Sequence, residues 1–528
     1  MAEPERYDAI IVGAGIAGLT AAAYLARAGH RILLADKEAA CGGLVTTFER
    51  HGFHFDGGIR AIENSGIVFP MLRDLGIALE FIPSQVAIGV EDRVVRLQSS
   101  ASLEEYQALL GDLFPAERDG IAAIMGEIRR AMRYMDVLYG IDNPAFLDPK
   151  RDRAYMIKTL LPWLPRYAAT MPKLVRMTEP IVPYLQRYTS NRSLVDLFAQ
   201  HFFVSTPAFF ALSYFSLYLD YRYPRGGTGK LAEALAAFIQ DQGGEIRTRT
   251  EIVGVDPEAR EIVDAAGQRY GYRRLIWAAD LKALYGGMDA AAIQDAAMRR
   301  AVVERQAAVR DKRGGDSVHT VYLAVDLPPE YFRQRASAHF FYTPRREGQT
   351  AAGSVSLDSD RASIEAWLER FLPRTTYEIS IPALRDTAMA PPGQTGLIVS
   401  ILFDHALTKQ TEAEGWLAEF TASCERQIID LLDGAVFPGL KDAIIESFTS
   451  TPLTIERRVG STDGAITGWA FTNESIPVEH RLPRIMGAVR TPVAGVLQAG
   501  QWAFSPSGLP TCILTGKLAA DAVLKALR

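Results

Sequence analysis

Cysteine is scarce: Cys41, Cys424 and Cys512 are the only three in 528 residues, far apart and in no metal-ligand spacing. Such a chain has no disulfide framework, and all three are expected to be reduced, as in a cytoplasmic compartment. The eight histidines are scattered, with no H-E-x-x-H and no cysteine partners, so no metal site is expected. No G-x-S-x-G is present, which removes the usual cue for an α/β-hydrolase. Surplus positive charge is missing as well. A net charge of −5 offers nothing to hold a phosphate backbone, and nucleic acid is excluded as a partner. Internal repeats and low-complexity tracts are absent, and the polar opening Met1 to Tyr7 shows no secretory h-region, so the expected location is the cytoplasm.

Hydrophobic residues make up 48% and charged residues 23%, the proportions of an ordinary globular protein, and the length calls for at least two lobes. Tyr7 to Val12 is β-rich, Ile16 to Ala28 has helical spacing, and Arg31 to Ala35 is again β-rich. Strand, turn, helix and strand in so short a span form a βαβ unit, and such units imply a parallel sheet with helices on both faces. From about Asn64 to Tyr223 the pattern is mostly helical and reads as an inserted lobe. Beyond the proline and glycine cluster at Tyr223 to Lys230, a helix and the strands 245–248, 252–256, 261–264 and 275–278 resume the first sheet. Alternation at 317–326, with strand-like runs at 377–381 and 396–403, points to a second sheet, and Leu509 to Leu527 to a final helix.

Gly13, Gly15 and Gly18 spell G-x-G-x-x-G between the first strand and its helix. In that setting the first glycine makes the tight turn, the second lets the backbone approach a diphosphate and the third seats helix on strand. Asp36 ends the second strand 18 residues after Gly18, where a carboxylate reaches the adenosine ribose hydroxyls. The glycine pairs Gly42-Gly43 and Gly57-Gly58 would let the chain pass close to a larger dinucleotide, which favours FAD over NAD. Gly226-Gly227-Thr228-Gly229-Lys230 fails the P-loop pattern, because Pro224 and Leu231 stand where glycine and hydroxyl are needed, and it reads as a helix start.

The run from Gly13 through Gly42-Gly43 to Phe55-Asp56-Gly57-Gly58-Ile59 resembles the phytoene desaturase family, which includes carotenoid desaturases, the carotenoid isomerase and retinol saturase. Leu497 to Trp502, Ser507 to Thr511, Gly516 to Ala520, Tyr223-Pro224-Arg225-Gly226-Gly227 and Ala278-Ala279-Asp280 look like its remaining landmarks, so the resemblance spans nearly the whole chain. It implies an α/β fold: a Rossmann-like FAD-binding lobe of the GR2 flavoprotein type with a discontinuous substrate lobe of mixed sheet and helices. The implied FAD-binding domain is 1–63, 224–310 and 481–528, and the substrate domain 64–223 and 311–480. Implied FAD contacts are Gly13, Gly15, Ala17, Gly18, Asp36, Lys37, Gly43, Leu44, Gly57, Gly58, Ile59, Ile252, Gly500, Gln501, Leu509, Pro510 and Thr511. Many relatives carry an acidic residue at Gln501, so that position departs from the pattern. Arg60 and Glu63 follow the FAD run and are the candidate catalytic groups; the bland alternative is that they simply pair.

The expected activity is that of an FAD-dependent oxidoreductase on carbon–carbon double bonds of an apolar isoprenoid or polyene, by desaturation, saturation or isomerisation. Two rivals are an amine-oxidase-like flavoenzyme with a small polar substrate and a non-enzymatic prenyl-binding escort. Phe202 to Tyr223 holds nine aromatics in 22 positions, against about two expected from the chain-wide 9%, which suits an apolar cavity or an ordinary core. Lys150 to Arg187 carries a net +6 among Trp163, Leu161 and Leu164. Two readings stand for this part of the helical segment 150–223: a membrane-interface stretch, peripheral on the inner face, or a solvated helix face.

Overall fold

The computed structural model describes residues 4–528. At its centre lies β1, Glu5–Val12, followed by helix α1, Ile16–Arg27, and strand β2, Ile32–Ala35. β1 pairs in parallel with β2 on one side and with Arg269–Trp277 on the other. Glu245–Arg247 extends the sheet beyond β2, and Val496–Gln498 pairs in parallel with the end of Arg269–Trp277. The antiparallel strands Ile252–Asp256 and Glu261–Asp264 complete seven. All four residues of β2 are buried, as expected where a parallel sheet is covered on both faces.

One cover is α1, whose alanines Ala21, Ala22, Ala23 and Ala26 let neighbours approach closely. The last helix, Leu509–Leu527, lies against it: a Cβ on Gly516 would stand 2.3 Å from the Ala17 carbonyl oxygen. The first and last helices therefore share one core, together with Ile32, Leu34 and Leu231.

The second sheet also has seven strands, in the order Ile444–Ser450, Ser317–Val325, Thr395–Phe403, Tyr377–Ser380, His339–Thr343, Val86–Val90 and Arg93–Leu97. Its pairings are antiparallel except for His339–Thr343 with Val86–Val90. Period-two alternation gives it two different faces. Val321, Phe340, Ile379 and Val399 pack under the helices Arg361–Phe371 and Leu417–Ala435, while the alternate residues turn toward the first lobe.

The stretch 64–223 is mostly helical, as the pattern implied, but it also supplies four short strands. Val86–Val90 and Arg93–Leu97 form a hairpin at the edge of the second sheet, and Phe81–Pro83 pairs with Arg222–Pro224. Val-Ala-Ile-Gly-Val is a short continuous apolar run, whose periodicity does not separate strand from helix. Phe53–Asp56 folds back on Thr47–Arg50 as an antiparallel pair. Phe55 then meets Tyr322 and Phe448 edge-on, at 5.5 Å between ring centres in each case, and ties the first lobe to the second sheet.

Candidate functional site

The glycine turn is shaped by contacts that leave no room for side chains. Gly13 has φ +99°, and a Cβ there would lie 2.8 Å from the Ala278 carbonyl oxygen. A Cβ on Gly18 would lie 1.8 Å from the Gly13 carbonyl oxygen, so α1 sits directly on the turn. Gly15 is the opposite case: a Cβ there would meet nothing within 4 Å. Helix α1 starts at Ile16 without a side-chain cap, so the positive end of the helix faces that open space. This geometry suits a diphosphate held by main-chain amides.

Asp36 is locked before any ribose arrives. Its Oδ2 accepts a hydrogen bond from the Ala14 amide at 2.6 Å and its Oδ1 one from the Glu38 amide at 2.8 Å. A carboxylate offers about four lone-pair sites, so acceptor capacity remains for hydroxyls. The glycine-rich segment around Gly42 is stitched to the same turn, its amide donating to the Ala14 carbonyl at 2.8 Å.

A cavity of about 620 Å³ opens from this turn. Gly13, Gly15 and Ala17 line its mouth, with Asp36, Lys37, Gly43 and Leu44 beside them. Gly57, Gly58 and Ile59 form a further wall, and Ile252, Gly500, Gln501 and Leu509 close it from three other segments. Gly18, Pro510 and Thr511 do not line it. Gly18 seats α1, and Pro510 and Thr511 form the first turn of the last helix, where the Thr511 carbonyl accepts from Thr515 Oγ1 at 2.9 Å. Lys37 Nζ donates to the Arg457 carbonyl at 2.6 Å, and Gln501 Nε2 reaches the Ala465 carbonyl at 3.5 Å. Both side chains thus bind protein as well as bordering the cavity.

Arg60 and Glu63 both line the cavity but form no ion pair with each other. Arg60, only 5% exposed, donates through Nη1 to the carbonyls of Asp56, at 2.8 Å, and Gly58, and through Nη2 to Ser400 Oγ at 3.2 Å. Its Nε is buried without a partner. Glu63 is pushed up to about 7 by burial, with nearby Asp220 acting in the same direction. Two neighbours on the same chain segment thus do different things: one fixes backbone, the other keeps a proton near neutrality.

Asp56, fully buried, explains the glycine cluster that resembled a P-loop. It accepts from the Tyr223 hydroxyl at 2.7 Å and from both the amide and the hydroxyl of Thr228 at 2.9 Å. Tyr223 to Gly229 is therefore a latch onto the Phe53–Asp56 strand, and the helix Lys230–Asp241 starts from it.

The far end of the cavity belongs to residues that no sequence motif singles out. Tyr214, Tyr218, Phe202 and Phe203 come from the aromatic-dense segment, whereas Phe215 of the same helix packs into the helical core with Tyr106. Cavity and core, the two readings of that segment, are both realised. From the second sheet come Thr320, His339, Phe341, Glu378 and Ser400. The available signal was polar residues at alternate positions of otherwise apolar strands, but only the register brings them together. Among the described residues, no group of three His, Cys, Asp or Glu is placed to hold a metal ion.

Fold and site together define an FAD-dependent oxidoreductase with a dinucleotide lobe facing a second, mixed sheet. The family described as flavin containing amine oxidoreductase matches residues 16–524, and the chain belongs to it. It is 24% identical to a prolycopene isomerase of Daucus carota, over 87% of this chain and 71% of the carrot protein. It is 25% identical to the all-trans-retinol 13,14-reductase of Macaca fascicularis, over 51% of this chain and 44% of that protein. A solved putrescine oxidase variant superposes with a TM-score of 0.60 at 13% identity, covering 99% of both chains. The chain is an enzyme and FAD is its cofactor, which sets the non-enzymatic escort reading aside.

Proposed function

We propose that this oxidoreductase acts on a carbon–carbon double bond of an apolar isoprenoid or polyene, by desaturation, saturation or isomerisation. The observation that carries the reading is continuity: one cavity joins the dinucleotide turn at Gly13 and Gly15 to the aromatic walls at Tyr214, Tyr218 and Phe341. Relatives named prolycopene isomerase and all-trans-retinol 13,14-reductase support a polyene substrate. Bound FAD supplies hydride chemistry. The amides at the start of α1 hold its diphosphate, Asp36 takes the adenosine ribose, and Gly500, Gln501 and Leu509 close the pocket. Gly18, Pro510 and Thr511 shape it from behind. Glu63 gives or takes a proton at its carboxyl oxygen, and Arg60 fixes the Gly57-Gly58 backbone.

The division we propose follows the sheets, with 1–63, 224–310 and 481–528 as cofactor domain and 64–223 with 311–480 as substrate domain. No helix among the described residues is long and apolar enough to cross a membrane. Peripheral contact with the inner face of a cytoplasmic membrane is supported by Ile157, Leu161 and Leu164, 55%, 62% and 48% exposed at helical spacing within the stretch of net +6. Water-insoluble substrate would enter there. The test is mass spectrometry of lipid extracts from cells with and without the protein. A shift of two hydrogens in an isoprenoid, or unchanged mass with changed retention, is expected. Peroxide release from an amine, with no isoprenoid altered, would replace this reading with the amine-oxidase rival.

A further inference from the structure

The cavity face of the second sheet carries a polar row that crosses it from strand to strand. Ser450 stands opposite Thr320, Thr320 opposite Ser400 and Ser400 opposite Glu378, each on a different strand. His339, on the next strand, brings its Nε2 to 3.0 Å from Glu378 Oε1. All five border the cavity. The hydroxyls of Thr320 and Ser400 share a hydrogen bond of 2.9 Å, and Arg60 Nη2 donates to the same Ser400 oxygen. On either side of the row the same face is apolar or aromatic, with Val318, Tyr322, Phe341 and Leu402.

Within the row Thr320 and Ser400 are satisfied by the protein, whereas both ring nitrogens of His339 are buried without a hydrogen-bond partner. Glu378 is the carboxylate of the row and the group left open: its side chain keeps 36% of its surface accessible while it borders the cavity. Burial raises its affinity for a proton, but His339, Arg60 and Arg385 outweigh that and hold the carboxyl below its ordinary range. Two guanidiniums, Arg60 and Arg385, already lie near enough to Glu378 to act on its charge, and Asp56 acts on Arg385 in turn. An ammonium group would be a surplus cation there. A pure hydrocarbon laid across the row would cover an ionised carboxylate and give it nothing in return. A neutral hydroxyl meets both conditions.

We propose that the row is a recognition strip for a hydroxyl group, in which Glu378 accepts the O–H of an otherwise apolar substrate, so that the enzyme takes an isoprenoid alcohol in preference to a hydrocarbon. This rests on the apolar-substrate reading above. The flavin-loaded protein is titrated with three probes delivered from cyclodextrin: geranylgeraniol, its methyl ether and the hydrocarbon bearing hydrogen in place of the hydroxyl. Binding is followed by quenching of the protein's tyrosine and tryptophan fluorescence.

The alcohol is expected to bind at least roughly tenfold more tightly than the other two, the lower range for a site built around one hydrogen bond to a charged group. In Glu378→Gln the preference should collapse from both sides, with the alcohol weakened and the hydrocarbon strengthened. A merely structural role would move all three ligands in the same direction, and that result overturns the strip. If the variant does not fold, the ratio of alcohol to ether in the unaltered protein decides alone. Equal affinity for the three probes overturns the strip while leaving an apolar substrate standing. Failure of all three to bind, with turnover of putrescine, overturns both.

Discussion

The two seven-stranded sheets use opposite means to shape one cavity. On the parallel sheet the cofactor side is drawn by backbone: Gly13, Gly15 and Gly18 set how closely chain approaches chain, and Asp36 braces the turn through two amides. On the second sheet the face we propose for substrate is drawn by side chains, with Thr320, Glu378 and Ser400 alternating with core residues on the same strands. The lesson is a difference in tolerance. One region is expected to fail when a methyl group is added, and the other to change its preference when a functional group is exchanged.

Gly18→Ala should separate the two most sharply. Its new methyl has to displace backbone 1.8 Å away; a loss of about 3 kcal/mol, the upper end for overpacking, is expected. Purified protein should lack the flavin spectrum, and normal flavin content at normal Tm would refute the close-packing account. Asp36→Ala comes next: FAD affinity should weaken by roughly 1–3 kcal/mol, because both the ribose contact and the brace on Ala14 are lost. Unchanged affinity in a flavin titration would remove Asp36 from the site.

Glu63→Gln sharpens the comparison where the two regions meet. In the folded protein Glu63 keeps its proton up to about 7 instead of the ordinary 4.5, with Asp220 close by and Tyr139, Tyr214, Tyr221 and Cys512 around it. The folded state therefore binds more protons than the unfolded chain in this window. The stability this contributes is complete below about 4.5 and is lost as pH rises through about 7. The variant, always neutral, should gain in Tm over the unaltered protein across that range, and parallel curves would contradict the assignment. The smallest effect on either sheet is expected from replacing Ile157, Leu161 and Leu164 together by serine. Flavin content should stay the same while co-sedimentation with anionic vesicles falls roughly tenfold, as an interfacial helix requires; equal sedimentation would favour a solvated face.

The cofactor half was readable because its determinants are local. Glycine spacing, the run Tyr7 to Val12 and Asp36 lie within one βαβ unit, and the last helix announces itself by its own periodicity. The strand bounds Ile252–Asp256 and Glu261–Asp264 also agree with the sequence pattern. The substrate half was less readable, because its site depends on register between strands far apart in sequence. Nothing local in Glu378 says that it will stand beside Ser400, and nothing in Val86 to Val90 says strand rather than helix. Arg60 was found by its position after the glycine run, but its partners, two carbonyls and Ser400, became visible only in three dimensions.

The seating of Gly516 on Ala17 carries a consequence for biosynthesis. The turn at Gly13 leaves the ribosome well before Gly500 and Leu509, which close the same pocket; at roughly 5–20 residues per second the interval is on the order of tens of seconds. During that time the first helix lacks the last helix and packs only on its own sheet and on the helix Lys230–Asp241. Flavin loading is therefore expected to follow synthesis of both segments, and a chain truncated before Gly500 is expected to have the phosphate turn without the wall that closes over it.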